Sequence, residues 1–136
     1  MPGAPAFLDS NVFVYAHAEG ARSELARYFT AEPYAISVQV LNEFTNVALR
    51  KLRLPWTAID PALADMAEFA SLVMPITLGT HRHGARIAKR YKLQIYDGLL
   101  LASALEAGCD IMWSEDMQDG LVVEDRLVIR NPFAEA

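Results

Sequence analysis

The feature that most constrains this chain is a set of apolar runs too short to be helices. They fall at residues 6–8, 34–37, 73–78 and 110–113, with longer stretches of helical periodicity between them. Runs of this length read as buried strands. Strands alternating with helices predict an α/β fold with a mostly parallel central sheet, because parallel neighbours are joined by crossover helices. The turn at 9–11 leads into a helix over 12–18 that Gly20 ends. Further helices are expected over 21–31, stopping before Pro33, and over 38–53, capped by Ser37 and closed by Pro55. Another is expected over 58–72, capped by Thr57, with Pro61 near its start, where proline is tolerated. Gly79 and Thr80 open a basic helix that runs to Lys92, and Asp97 opens a very apolar one that ends at Gly108. A loop over 114–120 and an extended segment over 121–130 follow. Residues 1–136, with no repeat, linker or low-complexity stretch, are expected to form one domain.

Composition narrows the class. Hydrophobic residues make up 53% and charged residues 21%, the balance of a globular domain with its own core. The single cysteine, Cys109, excludes an internal disulfide framework and suits a reducing, cytoplasmic compartment. The N-terminal segment lacks basic residues and its apolar run is cut by Asp9, so no secretion signal is expected. No apolar run approaches the ~20 residues a membrane helix needs. The net charge of -5 weighs against a nucleic-acid partner, since phosphate contacts need Lys and Arg. The distribution tempers this. Five of the 12 basic residues (Arg82, Arg86, Lys89, Arg90, Lys92) crowd into one segment, and Arg50, Lys51 and Arg53 form another group.

Several carboxylates stand where chemistry is possible. Asp9 is wedged between Phe7-Leu8 and Val12-Phe13-Val14, where helix capping alone would account for it. Glu43 falls about 40° outside the apolar arc of its helix, so its stem lies near the core and its head is free to enter a cleft or solvent. Asp97 shares a helix side with Leu100, Leu101 and Ala104 and is expected to point inward at a helix N-terminus, as an N-cap or as a ligand. Asp116 and Asp119 lie in an acidic loop just after the strand ending at Trp113, and spacing does not separate them; Asp116 is nearer the strand end. Ligands of parallel sheets bind beyond the carboxyl ends of the strands, where Asp9 and Asp116 are expected. Clustered carboxylates ionise together only when something compensates the charge, and oxygen ligands suit Mg²⁺ or Mn²⁺. His81 and His83 lack further ligands at zinc spacing and read as helix-surface residues.

The order Phe7-Leu8-Asp9-Ser10-Asn11, Leu41-Asn42-Glu43, Tyr96-Asp97-Gly98-Leu99-Leu100 and Trp113-Ser114-Glu115-Asp116 resembles the PIN-domain nucleases. It is most similar to the VapC-like toxins of type II toxin–antitoxin pairs, over residues 6 to about 130. The resemblance implies a PIN-like (Rossmann-like) α/β/α sandwich, with Asp9, Glu43, Asp97 and Asp116 around one or two Mg²⁺ or Mn²⁺ ions. Ser10, Asn11 and Ser114 fall at the family's polar supporting positions, and Asp119 competes as the fourth acid. The resemblance also implies cleavage of single-stranded or looped RNA, a homodimer and a cognate antitoxin that inserts into the active-site groove. Arg82, Arg86, Lys89 and Arg90 are candidate phosphate contacts, with a solvated helix face as the alternative. Two other readings compete. A phosphatase with Asp9 as nucleophile usually carries a second acid two residues later, where this chain has Asn11. A PIN-fold module that binds RNA or a partner without catalysis would not need all four acids. Trp56, between two predicted helices, is expected either in the core or against a second subunit or antitoxin.

Overall fold

The structure is a computed structural model that describes residues 4–134. Its elements in chain order are β1 (Ala6–Leu8), α1 (Ser10–Ala16), α2 (Ala21–Ala31), β2 (Tyr34–Ser37), α3 (Val38–Arg50), α4 (Trp56–Phe69), β3 (Leu72–Met74), α5 (Leu78–Tyr91), α6 (Ile95–Glu106), β4 (Ile111–Trp113), β5 (Val122–Val123) and β6 (Leu127–Arg130). They build one six-stranded sheet in the order β3-β2-β1-β4-β6-β5, flanked by helices. All neighbours pair in parallel except β5, which runs antiparallel to β6. The α/β class with a mostly parallel sheet is therefore as expected.

The chain leaves β1 towards β2 and β3, then returns to place β4 on the other side of β1, with Leu8 opposite Trp113. The crossovers reverse direction between these two strands, so a crevice opens beyond their carboxyl ends. Phe7, Leu8, Ile36, Met112 and Ile129 fill the buried sheet, and α6 is buried at every position from Gly98 to Leu105. Its closeness to α5 depends on two glycines. A Cβ on Gly98 would stand 2.3 Å from the Gly84 carbonyl oxygen, so only hydrogen fits there.

Several expectations about local structure need correction. Residues 75–78 do not extend β3: the strand ends at Met74, because Pro75 has no N–H to give a ladder. Thr77, not Gly79, then starts α5, exchanging hydrogen bonds with Thr80 in a capping box. Ser37 holds the N-cap position of α3 as expected but without the hydrogen bond of a cap, and Thr57 does not cap α4. The buried Ser37 hydroxyl has no partner among the described residues, and α4 starts one residue before Thr57, behind Pro55. Asp97 is not an N-cap either: Gln94 holds that position, and Asp97 stands in the first turn of α6. The expected C-terminal extended segment is a hairpin whose turn has Glu124 and Asp125 at φ 52° and 57°, the twist that a tight turn between antiparallel strands requires. Trp56 opens α4 and is 52% exposed, so it is not core. Among the described residues no helix is long and apolar enough to cross a membrane.

Candidate active site

Asp9 follows β1 directly and caps α1, its Oδ1 accepting from the Ser10 N–H at 2.7 Å. Its backbone N–H donates to the Trp113 carbonyl, which ties the end of β1 to the end of β4. Ser114, the residue after β4, donates its hydroxyl to Asp9 Oδ2 at 2.7 Å and is fully buried. Asn11, one residue into α1, donates its Nδ2 to Asp9 Oδ2 at 3.3 Å and to Asp116 Oδ2 at 3.2 Å. Its Oδ1 accepts from the Glu115 N–H. One carboxamide thus spans two acids and fixes the loop after β4. Capping and site-building coexist at Asp9.

Glu43 reaches the same place from α3. It accepts from the Ser10 hydroxyl and from Gln39 Nε2, each at 3.3 Å. Asp97 arrives from the first turn of α6, where the helix dipole favours an anion. One pocket of about 230 Å³ is lined by Asp9, Ser10, Glu43, Asn46, Val47, Asp97 and Asp116. The sequence-predicted acids Asp9, Glu43, Asp97 and Asp116 therefore share a crevice, with Ser10 on its wall and Asn11 and Ser114 bonded to its acids. Asp119 does not join them. Its carboxylate accepts from the Asn131 N–H and faces a different pocket, with Leu25, Phe29 and Trp113. It is a turn-stapling residue rather than a support of the acids. Glu115 also turns elsewhere, held by the Tyr15 hydroxyl and the Arg22 guanidinium. Arg82, Arg86, Lys89 and Arg90 lie on the exposed face of α5, and none of them lines the acidic pocket. His81 is exposed and His83 pairs with Glu124 at 2.8 Å.

The electrostatics follow from crowding. Burial pushes the Asp9 carboxyl up to about 6, against the pull of the Ser114 and Ser10 hydrogen bonds and helped by the charges of Asp116 and Asp97. Burial and the Asp9 charge push Glu43 up to about 7. Asp97 is raised by burial and by Asp116. Such a cluster holds its full negative charge only when a cation compensates it. Among the described residues no three acidic, histidine or cysteine side chains stand close enough together to hold a metal ion by themselves. Carboxylate oxygens in an open pocket are nonetheless what Mg²⁺ accepts, because it keeps several waters and binds through one or two carboxylates. The donor set fits a hard divalent cation.

Gln39 and Asn46 are the site residues that the sequence reading missed. They stand four before and three after Glu43 on α3, so the face that carries Glu43 also carries them.

The class defined here is an α/β fold with a mostly parallel sheet and acids gathered at its reversal point. The chain belongs within that class to the PIN domain family, whose profile matches residues 6–118. No curated protein matches the sequence significantly. Solved structures do. The toxin–antitoxin complex from Klebsiella pneumoniae matches at a TM-score of 0.68 with 18% identity, covering 93% of this chain and 97% of that one. Mycobacterium tuberculosis VapC20, a sarcin-ricin loop cleaving toxin, matches at 0.65 with 18% identity, over 82% and 89% of the two chains. VapBC2 from Rickettsia felis, bound to a DNA fragment from its promoter, matches at 0.61 with 17% identity, over 93% and 97%. At this level of identity the likeness establishes the fold, that of a PIN domain.

Proposed function

We propose that this chain is a metal-dependent endoribonuclease, acting as the toxin of a toxin–antitoxin pair. The observation that carries the proposal is the convergence of Asp9, Glu43, Asp97 and Asp116, from four separate segments, on one pocket beyond β1 and β4. Membership of the PIN domain family and likeness to an RNA-cleaving toxin support it. Asp9, Asp97 and Asp116 would hold Mg²⁺ or Mn²⁺, which neutralises phosphate charge and acidifies a bound water.

The protein's own groups do the remaining work. Ser114, Asn11 and the Ser10 N–H fix Asp9, so its oxygens stay aimed at the crevice. Asn11 keeps Asp116 at a set distance from Asp9. Glu43, held by Ser10 and Gln39 and pushed up to about 7 by burial and the Asp9 charge, would orient the attacking water and take its proton. Water attacks phosphorus in line, the bond to the 3′ oxygen breaks, that oxygen takes up a proton from solvent, and the products carry 5′-phosphate and 3′-hydroxyl ends. The exposed cations of α5 contact phosphates away from the pocket.

The matched complexes from Klebsiella pneumoniae and Rickettsia felis support a cognate antitoxin as protein partner. Homodimer formation, a single domain over residues 1–136 and a cytoplasmic location complete the proposal.

The test is cleavage of a structured RNA pool with Mg²⁺ or Mn²⁺, using wild type, wild type with EDTA, and Asp97→Ala. Cleavage by wild type with metal alone supports the proposal. Equal cleavage by Asp97→Ala, or products ending in 2′,3′-cyclic phosphate, overturns it. Metal binding without cleavage would favour the non-catalytic module.

A further inference from the structure

A second hollow of about 410 Å³ adjoins the acidic pocket, lined by Gln39, Asn42, Glu43, Asn46 and Tyr96. Glu43 and Asn46 line both, so the two form one groove. The chemistry changes along it. Gln39, Asn42 and Asn46 occupy positions i, i+3 and i+7 of α3, so three carboxamides share one helix face. No lysine or arginine lines this hollow. Tyr96, 57% exposed and one residue before Asp97, completes the lining. Among the described residues no other ring packs against it.

A hollow without cations is poorly made for phosphate. Each carboxamide pairs a donor with an acceptor, the pattern found on the edges of nucleobases. An exposed aromatic ring beside them offers a face on which any base can stack. We propose that this hollow receives one unpaired nucleobase of the RNA, stacked on Tyr96 and read at its edge by Gln39, Asn42 and Asn46. The base belongs to a nucleotide adjoining the phosphate at the four acids, so the inference rests on the nuclease reading. A neutral subsite also answers the problem posed by a chain of net charge -5: stacking and hydrogen bonding supply affinity where ionic contacts are scarce. A base inside a duplex has its faces and pairing edge occupied, so the subsite selects unpaired nucleotides.

The experiment measures binding of short homopolymeric oligoribonucleotides of A, C, G and U in Ca²⁺, a hard cation that carboxylates accept. Wild type, Tyr96→Phe, Tyr96→Ala and the double variant Asn42→Ala/Asn46→Ala are compared. These side chains are exposed, and matched thermal melts check the folds. Tyr96→Phe should bind within about twofold of wild type, and Tyr96→Ala about 10-fold or more weaker for the best-bound oligomer. The double variant should level the preference among the four bases. Unchanged binding by Tyr96→Ala, or no binding of any oligomer by wild type, overturns the subsite. Cleavage assays in Mg²⁺ run alongside separate the two readings. If wild type cleaves RNA and Tyr96→Ala matches it in KM and in binding, the subsite falls and the nuclease stands. If wild type cleaves nothing while Tyr96→Ala still weakens binding, the subsite stands and the nuclease falls.

Discussion

At the scale of single residues, the site is a negotiation between burial and charge. Asp9 is only 4% exposed and keeps its place through three donors, of which the Ser114 hydroxyl is the closest from outside its own segment. Ser114→Ala should lower stability by about 1–3 kcal/mol in urea unfolding, because a buried carboxylate loses a partner. It should also raise the Asp9 pKa further, since that hydrogen bond now pulls it down. The pH dependence has a definite sign. Asp9 titrates near 6 in the fold against an ordinary 3.8, and Glu43 near 7 against 4.5. Between those values the folded chain binds more protons than the unfolded one, so stability is full at low pH and is lost as pH rises through 6 to 7. Thermal melts in EDTA should therefore show Tm falling from pH 5 to pH 8. A rise over that window would contradict the buried-acid account. The acids at 9, 43 and 97 stood out in the sequence because each interrupts or borders an apolar pattern, and the family resemblance drew them together with Asp116. The choice between Asp116 and Asp119 was not legible there. It depends on which carboxylate Asn131 captures, a contact across 12 residues that local spacing does not encode.

At the scale of elements, helix α6 matters most, because it delivers Asp97 and sits inside the core. The contact of Gly98 with Gly84 sets how closely α5 and α6 approach, and thereby where the first turn of α6 lies. Gly98→Ala should cost about 1–3 kcal/mol or more, since backbone rather than a flexible side chain must move, and it should depress activity as well. Gly79→Ala serves as the control. Its Cβ would meet only Thr77 Oγ1 at 3.5 Å, so denaturant melts should show no loss. Strands β1, β2 and β4 and helix α2 were readable from apolar runs and breakers alone. The start of α6 was misread because Asp97 has the chemistry of an N-cap, whereas the chain begins its helix two residues earlier, behind Gln94. Nothing in residue propensity announces that choice. The packing of Gly98 against Gly84 is a tertiary matter.

At the scale of the whole molecule, acids from residues 9 to 116 meet in one crevice, and a bound cation would offset their mutual repulsion. Mg²⁺ should raise Tm of wild type in a concentration-dependent way, and should do so much less for Asp97→Ala. Equal shifts for both would place the cation elsewhere. The parallel order of β1, β2 and β4 was inferable from strand–helix alternation, but the position of β4 beside β1 was not, because alternation does not say on which side the chain returns. That position has a consequence for synthesis. Asn11 meets Asp116, and Ser114 meets Asp9, across 105 residues each. A growing chain emerges from the ribosome with Asp9 and Glu43 in hand but without the strand that completes their setting. The crevice is assembled only when most of the polypeptide has been made, so a chain still being translated carries no finished site near the RNA that encodes and builds it.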